Sequence, residues 1–576
     1  MTLRSRMVPV VLMALGTLAL GTQAQVTPAA GLPVAPATMV LRNGSIVTAD
    51  DARPTAEAIA INGDTVVALG TNAEISRYIG SGTEVIDLAG QMAMPGFIEG
   101  HGHFTGIGQA KLGLELMNTK SWEEIVAMVG EAAANARPGQ WIVGRGWHQE
   151  KWTSTPTPNV EGFPTHASLD AVSPNNPVVL THASGHASFA NAKAMELSNV
   201  TAQTPNPRGG EVLKDTTGDP TGLMRETASG LIRRGTGQPP PTPEEREAEA
   251  ERVVELANLE ILSKGITTFE DAGSSFDAVE RFKRMIDDGR LQARLWVMIR
   301  GGSPEALVQG RTIEYGNKHL TVRAIKITLD GALGSRGAWM LQPYSDMPGS
   351  SGLNTGDITR ARETAQFAID HGYQLCVHAI GDRANREVLD IFEETFKRNN
   401  RDGKELRWRI EHAQHIHRDD IPRFGQLGVI ASMQAVHATS DAPYVLARLG
   451  DERAEEGAYV WQKLMKSGAT VTNGTDAPVE DVDPIASYYA AVTRRLPDGT
   501  VFFGDQRMSR IEALKSYTLW PAYAGFEDSV KGSLAPGKLA DITVLTKDIT
   551  TVPDNEIRDA KVVLTIVGGK VVYRAR

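Results

Sequence analysis

Met94-Pro95-Gly96-Phe97-Ile98-Glu99-Gly100-His101-Gly102-His103 is an apolar run that ends in His-x-His. Read as a strand, it places both histidines on one side, because side chains two apart on a strand point the same way. Gly100 and Gly102 let the backbone come close to a ligand. Two imidazoles at the end of a strand can hold one ion between them. A bare His-x-His is also compatible with surface or core histidines, so its meaning depends on what surrounds it.

Further apolar runs recur downstream: Ile266–Glu270, Leu295–Ile299, Val322–Leu329, Gln374–Ala379, Arg407–Glu411, Val429–Met433 and Thr470–Asn473. With Ala93–Ile98 they make eight. Helical stretches lie between many of them, including Pro243–Lys264, Phe276–Asp288, Asp357–His371 and Arg383–Lys397. Strand–helix alternation predicts a parallel sheet covered by helices, and eight units predict an α/β fold of the (β/α)8 TIM-like barrel type, with a doubly wound open sheet as the alternative. The connection from Ile98 to Ile266 is far longer than usual. Its stretch 137–220 is rich in Pro, Gly, Asn, Thr and His and reads as an insertion over the top of the barrel.

Chemistry-bearing residues close several of these strands. In Ile325-Lys326-Ile327-Thr328-Leu329-Asp330, Lys326 alternates onto the inner face. A buried ammonium is costly unless paired, so it either serves a site or pairs with a carboxylate such as Asp330. Leu375-Cys376-Val377-His378 and Arg409-Ile410-Glu411-His412 each end in histidine, and Asn473-Gly474-Thr475-Asp476 ends in aspartate. Cys376 reads as core packing, and His415 and His417 as loop or helix-surface residues. Asp476 is a ligand, a general base or a helix cap. Together these groups occupy the C-terminal ends of strands one, four, five, six and eight, where barrel enzymes hold their active sites. Imidazole and carboxylate suit zinc and its neighbours.

Outside the barrel, residues 1–24 read as a signal peptide: Arg4 and Arg6, then the apolar stretch Met7–Leu20, then Thr22-Gln23-Ala24 as a small-x-small cleavage site. An uncleaved anchor is the alternative. The leader predicts export, to the periplasm or beyond, with no membrane attachment after cleavage. Residues 25–37 read as a linker. Short strands follow in 38–92 and again in 530–576, with hairpin signals at Asn43-Gly44, Asn62-Gly63-Asp64 and Gly568-Gly569. They predict one small β-sandwich domain built from both ends of the chain, flanking a barrel over 93–529. The chain of 576 residues has 59 Lys+Arg against 69 Asp+Glu and no basic block, which argues against nucleic acid as a partner. Cys376 is the only cysteine, so a disulfide scaffold is excluded.

The motifs PGFIEGHGHF, IKITLDGALGSRGA, VHAIGDRAN, RIEHAQHI, SMQAVHATSD, NGTDAPVED and GSLAPGKLADITVL resemble, in order and spacing, the amidohydrolase superfamily, and within it amidohydrolase family 3 in its YtcJ-like branch. The resemblance covers the chain from about residue 38 to the C-terminus. It implies a centre of two divalent ions, zinc being the expected metal. His101 and His103 would hold the buried ion, Lys326, carbamylated by CO2, would bridge both, and His378 and His412 would hold the second. Asp476 would bind the first ion and take the proton of the attacking water. One ion with an unmodified lysine is the alternative. The implied reaction is hydrolysis of a C–N bond (amide, formamide, N-acyl or cyclic amide) in a small molecule. Deamination of a heterocycle and a catalytically inactive binding relative are the competing readings. His186 matches a family position near the substrate. Trp147 and His148 in the insertion, His437 after strand seven and Arg336 after strand four are further candidates for substrate contact, and Asp271 after strand two for support of the site. A homodimer is the expected assembly.

Overall fold

The barrel strands are β1 (Phe97–Gly102), β2 (Ile266–Ser274), β3 (Arg294–Ile299), β4 (Leu320–Thr328), β5 (Gln374–Ala379), β6 (Arg409–His412), β7 (Ile430–Met433) and β8 (Val471–Asn473). In this computed structural model, which describes residues 34–237 and 240–576, they lie parallel in sequence order from β1 to β8. The proposed signal peptide and most of the linker lie outside the described residues. The ring is closed by backbone bonds between the two ends: Asp476 N donates to His101 O at 2.8 Å and His103 N to Ala477 O at 2.7 Å. The open-sheet alternative therefore falls. The closing seam sits where the histidines and Asp476 are.

Each barrel strand lies at or within a few residues of its expected position, with one informative departure. The expected first strand, Ala93–Ile98, is two strands. Met92–Pro95 pairs antiparallel with Ile542–Leu545 in another sheet, and only Phe97–Gly102 enters the barrel. The break falls at Gly96, whose N–H donates to Asp541 O at 2.9 Å. A Cβ there would lie 2.2 Å from the side chain of Thr267, so the chain can pass β2 this closely only without one.

Two sheets pack face to face beside the barrel. One runs Thr65–Gly70, Ala58–Asn62, Met39–Arg42, Glu84–Asp87. The other runs Lys570–Arg574, Val562–Val567, Ile542–Leu545, Met92–Pro95, Ser45–Val47, Thr55–Ala56. Leu41, Ile59 and Ile61 of the first share a core with Ile46, Ile542, Val544 and Ile566 of the second. This is the β-sandwich expected from both chain ends. Asn62-Gly63-Asp64 and Gly568-Gly569 make the expected hairpins. Asn43-Gly44 does not: Met39–Arg42 pairs with Ala58–Asn62 and Glu84–Asp87, while Ser45–Val47 pairs in the other sheet. With Asn43 left-handed at φ 58°, the dipeptide is the corner where the chain crosses between sheets.

The insertion is more ordered than its composition suggests. It forms a mixed six-stranded sheet from Leu114–Glu115, Ile142–Trp147, Val178–His182, Ala187–Ala190, Pro220–Glu226 and Gly210–Lys214. The sheet thus reaches beyond 137–220 on both sides. Its core packs Trp122, Ile125 and Val129, from the helix Trp122–Asn135, against Leu180, Phe189 and Leu223. Strands such as Ile142–Trp147 (IVGRGW) carry glycine and arginine where alternation would show, which hides their period.

Candidate metal centre

β1 delivers His101, and His103 follows at its end; β5 delivers His378, β6 His412, and Asp476 stands just past β8. Asp476 Oδ1 lies 3.5 Å from His101 Nε2 and 3.1 Å from His103 Nε2, and Asp476 Oδ2 lies 3.9 Å from His412 Nδ1. The His101 and His412 rings are 4.6 Å apart centre to centre, and His412 and His378 4.4 Å. Ligand atoms of His101, His412 and Asp476 fall within 4.8 Å of one another. Two turns of backbone are strained to bring this about, with His412 at φ 77° and Asp476 at φ 57°, both left-handed.

Burial without bonding marks the centre. His101 Nε2, His378 Nε2 and Asp476 Oδ1 are shut off from solvent and have no hydrogen-bond partner. Such atoms are costly in a folded protein unless something absent from the chain satisfies them. Nitrogen and carboxylate donors at these separations fit a divalent cation. The charge states agree. Burial pushes His103 down to about 4 and holds His378 and His412 well below the ordinary histidine value, so their imidazoles are neutral and have free lone pairs. For Asp476 burial acts the other way, but the surrounding imidazoles of His101, His103 and His412 keep it well below the usual carboxylate range.

Lys326 is buried on β4, register-paired with Cys376 and one step deeper than the pair Thr328–His378. The ion pair with Asp330 does not form. Asp330 instead accepts the backbone N–H groups of Trp339, Ile380 and Gly381 at 2.8–3.0 Å and so pins the rim of β5. Burial lowers Lys326 to about 8, with Glu411 and Asp476 opposing the shift. Cys376 packs in the barrel interior with Ala272, Trp296, Met298 and Ala324. Asp271 accepts from Phe104 N at 2.9 Å, which anchors the helix Phe104–Ala110 that follows His103.

A cavity opens onto His378, His412 and Asp476. His186 lines it, with Nδ1 2.6 Å from Glu226 Oε2; burial opposes its charge, but Glu226 raises its pKa above the ordinary value. His437 and His148 line it too. Trp147 does not touch it. Its ring is wholly buried in the core of the inserted sheet, and Nε1 donates to Leu180 O at 2.9 Å. Strand alternation explains this, since Trp147 faces the sheet core and His148 follows at the strand's end. Arg336 is also absent from the cavity. The loop after β4 turns it outward to pair with Asp346 at 3.0 Å. His415, expected at a surface, is buried beneath the helix that follows β5: its backbone N–H donates to Ile380 O at 3.0 Å.

Glu411 and Arg409 belong to the centre although no motif singles them out. His101 Nδ1 is bonded to Glu411 Oε2, Arg409 Nε donates to Glu411 Oε1 at 2.8 Å, and Arg409 Nη1 donates to Glu270. All are buried inside the barrel. The clue was present: Arg409 and Glu411 occupy alternate, inward positions on β6, where a charge needs a partner. Gln434, whose Oε1 lies 2.8 Å from His412 Nδ1, and Glu226 were equally unmarked.

A barrel with histidines and a carboxylate gathered at the C-terminal ends of its strands defines a metal-binding barrel enzyme. The chain belongs to the amidohydrolase family, whose sequence model matches residues 84–573. It is similar to the Arabidopsis thaliana protein LONG AFTER FAR-RED 3 (32% identical, 96% of this chain and 94% of that protein). It is also similar to N-substituted formamide deformylase of Arthrobacter pascens (27% identical, 93% and 98%). Among solved structures, a metal-dependent hydrolase from Pyrococcus horikoshii OT3 superposes with a TM-score of 0.70 at 27% identity, over 90% of this chain and 99% of that one. The protein is a hydrolase of the metal-dependent amidohydrolase family.

Proposed function

We propose that the protein hydrolyses a C–N bond, as an amide, N-formyl, N-acyl or cyclic amide bond, in a small non-peptide molecule, using two divalent ions of which zinc is the leading candidate. The observation that carries this is the set of buried, unbonded ligand atoms on His101, His378 and Asp476 beside neutral His103 and His412. His101, His103 and Asp476 would hold one ion and His378 and His412 the other. Lys326, carbamylated by CO2, would bridge them. A buried lysine without a carboxylate at ion-pair distance supports that role, because the carbamate replaces an unpaired cation with an anionic ligand. When bound, the ions supply the charge that activates water and polarises a carbonyl.

The chain's own groups then divide the work. Asp476 accepts the proton of the attacking water and passes it to the departing nitrogen, so that water and amide become carboxylic acid and amine. His186, held by Glu226, presents its other ring nitrogen to the cavity, where an N–H can stabilise charge developing on the carbonyl oxygen. The similarity to a formamide deformylase favours N-formyl compounds as the first substrates to try. The leader at residues 1–24 supports export, and a homodimer remains part of the proposal.

Elemental analysis of the purified protein, beside native mass, tests the reading. Two ions per chain and a mass excess of about 44 Da lost on acidification are expected for the carbamylated centre. Asp476→Asn is expected to lower kcat on a competent amide by about 10²- to 10⁴-fold. A folded protein that binds no added zinc would overturn the proposal.

A further inference from the structure

We infer that the cavity selects substrates whose portion beyond the scissile bond is not anionic and carries a hydrogen-bond acceptor, and that His437 reads that acceptor. This rests on the hydrolase reading above and adds the chemical class of the substrate.

His437 stands on the helix Ala435–Leu449 that follows β7, and it is only 5% exposed. Its Nδ1 lies 3.0 Å from Gln414 Nε2. An amide nitrogen can only donate, so Nδ1 is the acceptor and the ring proton is carried at Nε2. That Nε2 is buried and has no partner, and His437 is one of the residues that line the cavity. A buried donor left unmade is unfavourable, and a ligand carbonyl, ether or ring nitrogen would satisfy it. An aliphatic group would not.

The charge of the wall argues in the same direction. Among the described residues lining the cavity there is no arginine, and its one lysine, Lys151, is held by Glu480 at 3.4 Å. Asp441, on the same helix as His437, lines the cavity as well. Its two oxygens already accept from tyrosines, Oδ1 from Tyr444 at 2.5 Å and Oδ2 from Tyr459. Away from the metal ligands, a substrate carboxylate would therefore find no free cation in this wall and would face Asp441 and Glu480. A group without negative charge is favoured, and Leu333, Val479 and Tyr444 give it apolar surface.

The test uses metal-loaded protein and calorimetric binding beside turnover. Three N-substituted formamides of equal length are compared: one ending in a methyl ketone, one in an alkyl group, one in a carboxylate. The ketone is expected to bind about 10-fold or more tighter than the carboxylate. His437→Leu is expected to lose the ketone's advantage over the alkyl compound, and His437→Gln, which keeps an N–H, to restore much of it. Tighter binding of the carboxylate, or an equal loss on ketone and alkyl compounds in His437→Leu, overturns the inference. Binding with the expected ranking but no turnover of any compound would count against the hydrolase reading and leave the ligand class standing.

Discussion

Glu411 Oε2 and His101 Nδ1 share a hydrogen bond with both side chains fully shut off from solvent. The bond fixes the ring so that Nε2 faces Asp476, the arrangement by which a carboxylate orients a metal-binding histidine. Arg409 holds Glu411 in turn at 2.8 Å, and the same guanidinium keeps Glu411 an anion, well below the usual carboxylate value despite burial. Glu411→Gln is therefore expected to weaken metal affinity by about 10- to 100-fold, read by competition with a chromophoric chelator. Unchanged affinity would show that β6 alone orients His101.

Arg409 itself should be worth more to stability than to metal. It bonds Glu411, Glu270 and the carbonyl oxygen of Gly100, all buried. Arg409→Met strands two acids at once, and a loss of about 3–5 kcal/mol is expected in denaturant unfolding. A smaller loss in the double variant with Glu270→Gln would identify the stranded charge as its source.

Much of this was legible beforehand. Barrel strands end where apolar runs meet His378, His412 or Asp476, because a buried strand must be apolar until it reaches the rim. The ligands were legible for the same reason, as polar groups in places that otherwise exclude them. What escaped was set by tertiary contact. Nothing local says that Gly96 divides two sheets, since the cause is Thr267 far along the chain. Trp147 next to His148 looked like a pocket aromatic, yet one residue of register sends it to the other face of its strand.

The Arg294–Asp541 pair joins β3 to the C-terminal end of the β-sandwich, through two bonds of 2.8 and 3.0 Å. Burial would raise the Asp541 pKa, but the charge and bonds of Arg294 bring it below the ordinary value. A depressed folded pKa gives stability that is present above the unfolded value of about 3.9 and is lost as pH falls through the folded one. The wild-type midpoint in urea is thus expected to fall steeply below about pH 4, and Asp541→Asn, already destabilised at neutral pH, to show a shallower acid limb. Parallel curves for the two proteins would remove Asp541 from the acid transition.

Removing metal should be visible as stability, independent of any substrate. Without a cation the atoms His101 Nε2, His378 Nε2 and Asp476 Oδ1 stay unsatisfied in the folded chain alone. A ligand at 100 times its dissociation constant contributes about 2.7 kcal/mol. Dialysis against a chelator is expected to lower Tm by several degrees and zinc to restore it. A Tm indifferent to both would mean that the centre holds no ion in solution.

The closing seam of the barrel offers the last test. A Cβ on Gly100 would lie 2.6 Å from the carbonyl oxygen of Asn473, which is backbone of β8 and cannot swing aside. The neighbours tighten the same joint: Thr475 Oγ1 donates to Glu99 at 3.1 Å, and Asp476 N donates to His101 O at 2.8 Å. Gly100→Ala must push β1 and β8 apart, which costs about 1–3 kcal/mol. The shift would also move Asp476 relative to His101, because both hang from the seam. Gly82→Ala is the control, since a Cβ there meets nothing within 4 Å. Stability within about 0.5 kcal/mol of the parent is expected for it, with full metal content. For Gly100→Ala, reduced metal content is expected in protein that still melts cooperatively. Reduced stability with full metal content would mean that the seam can open without disturbing the ligands, and that the geometry of the centre is held by the hydrogen bonds of His101 and His412 instead.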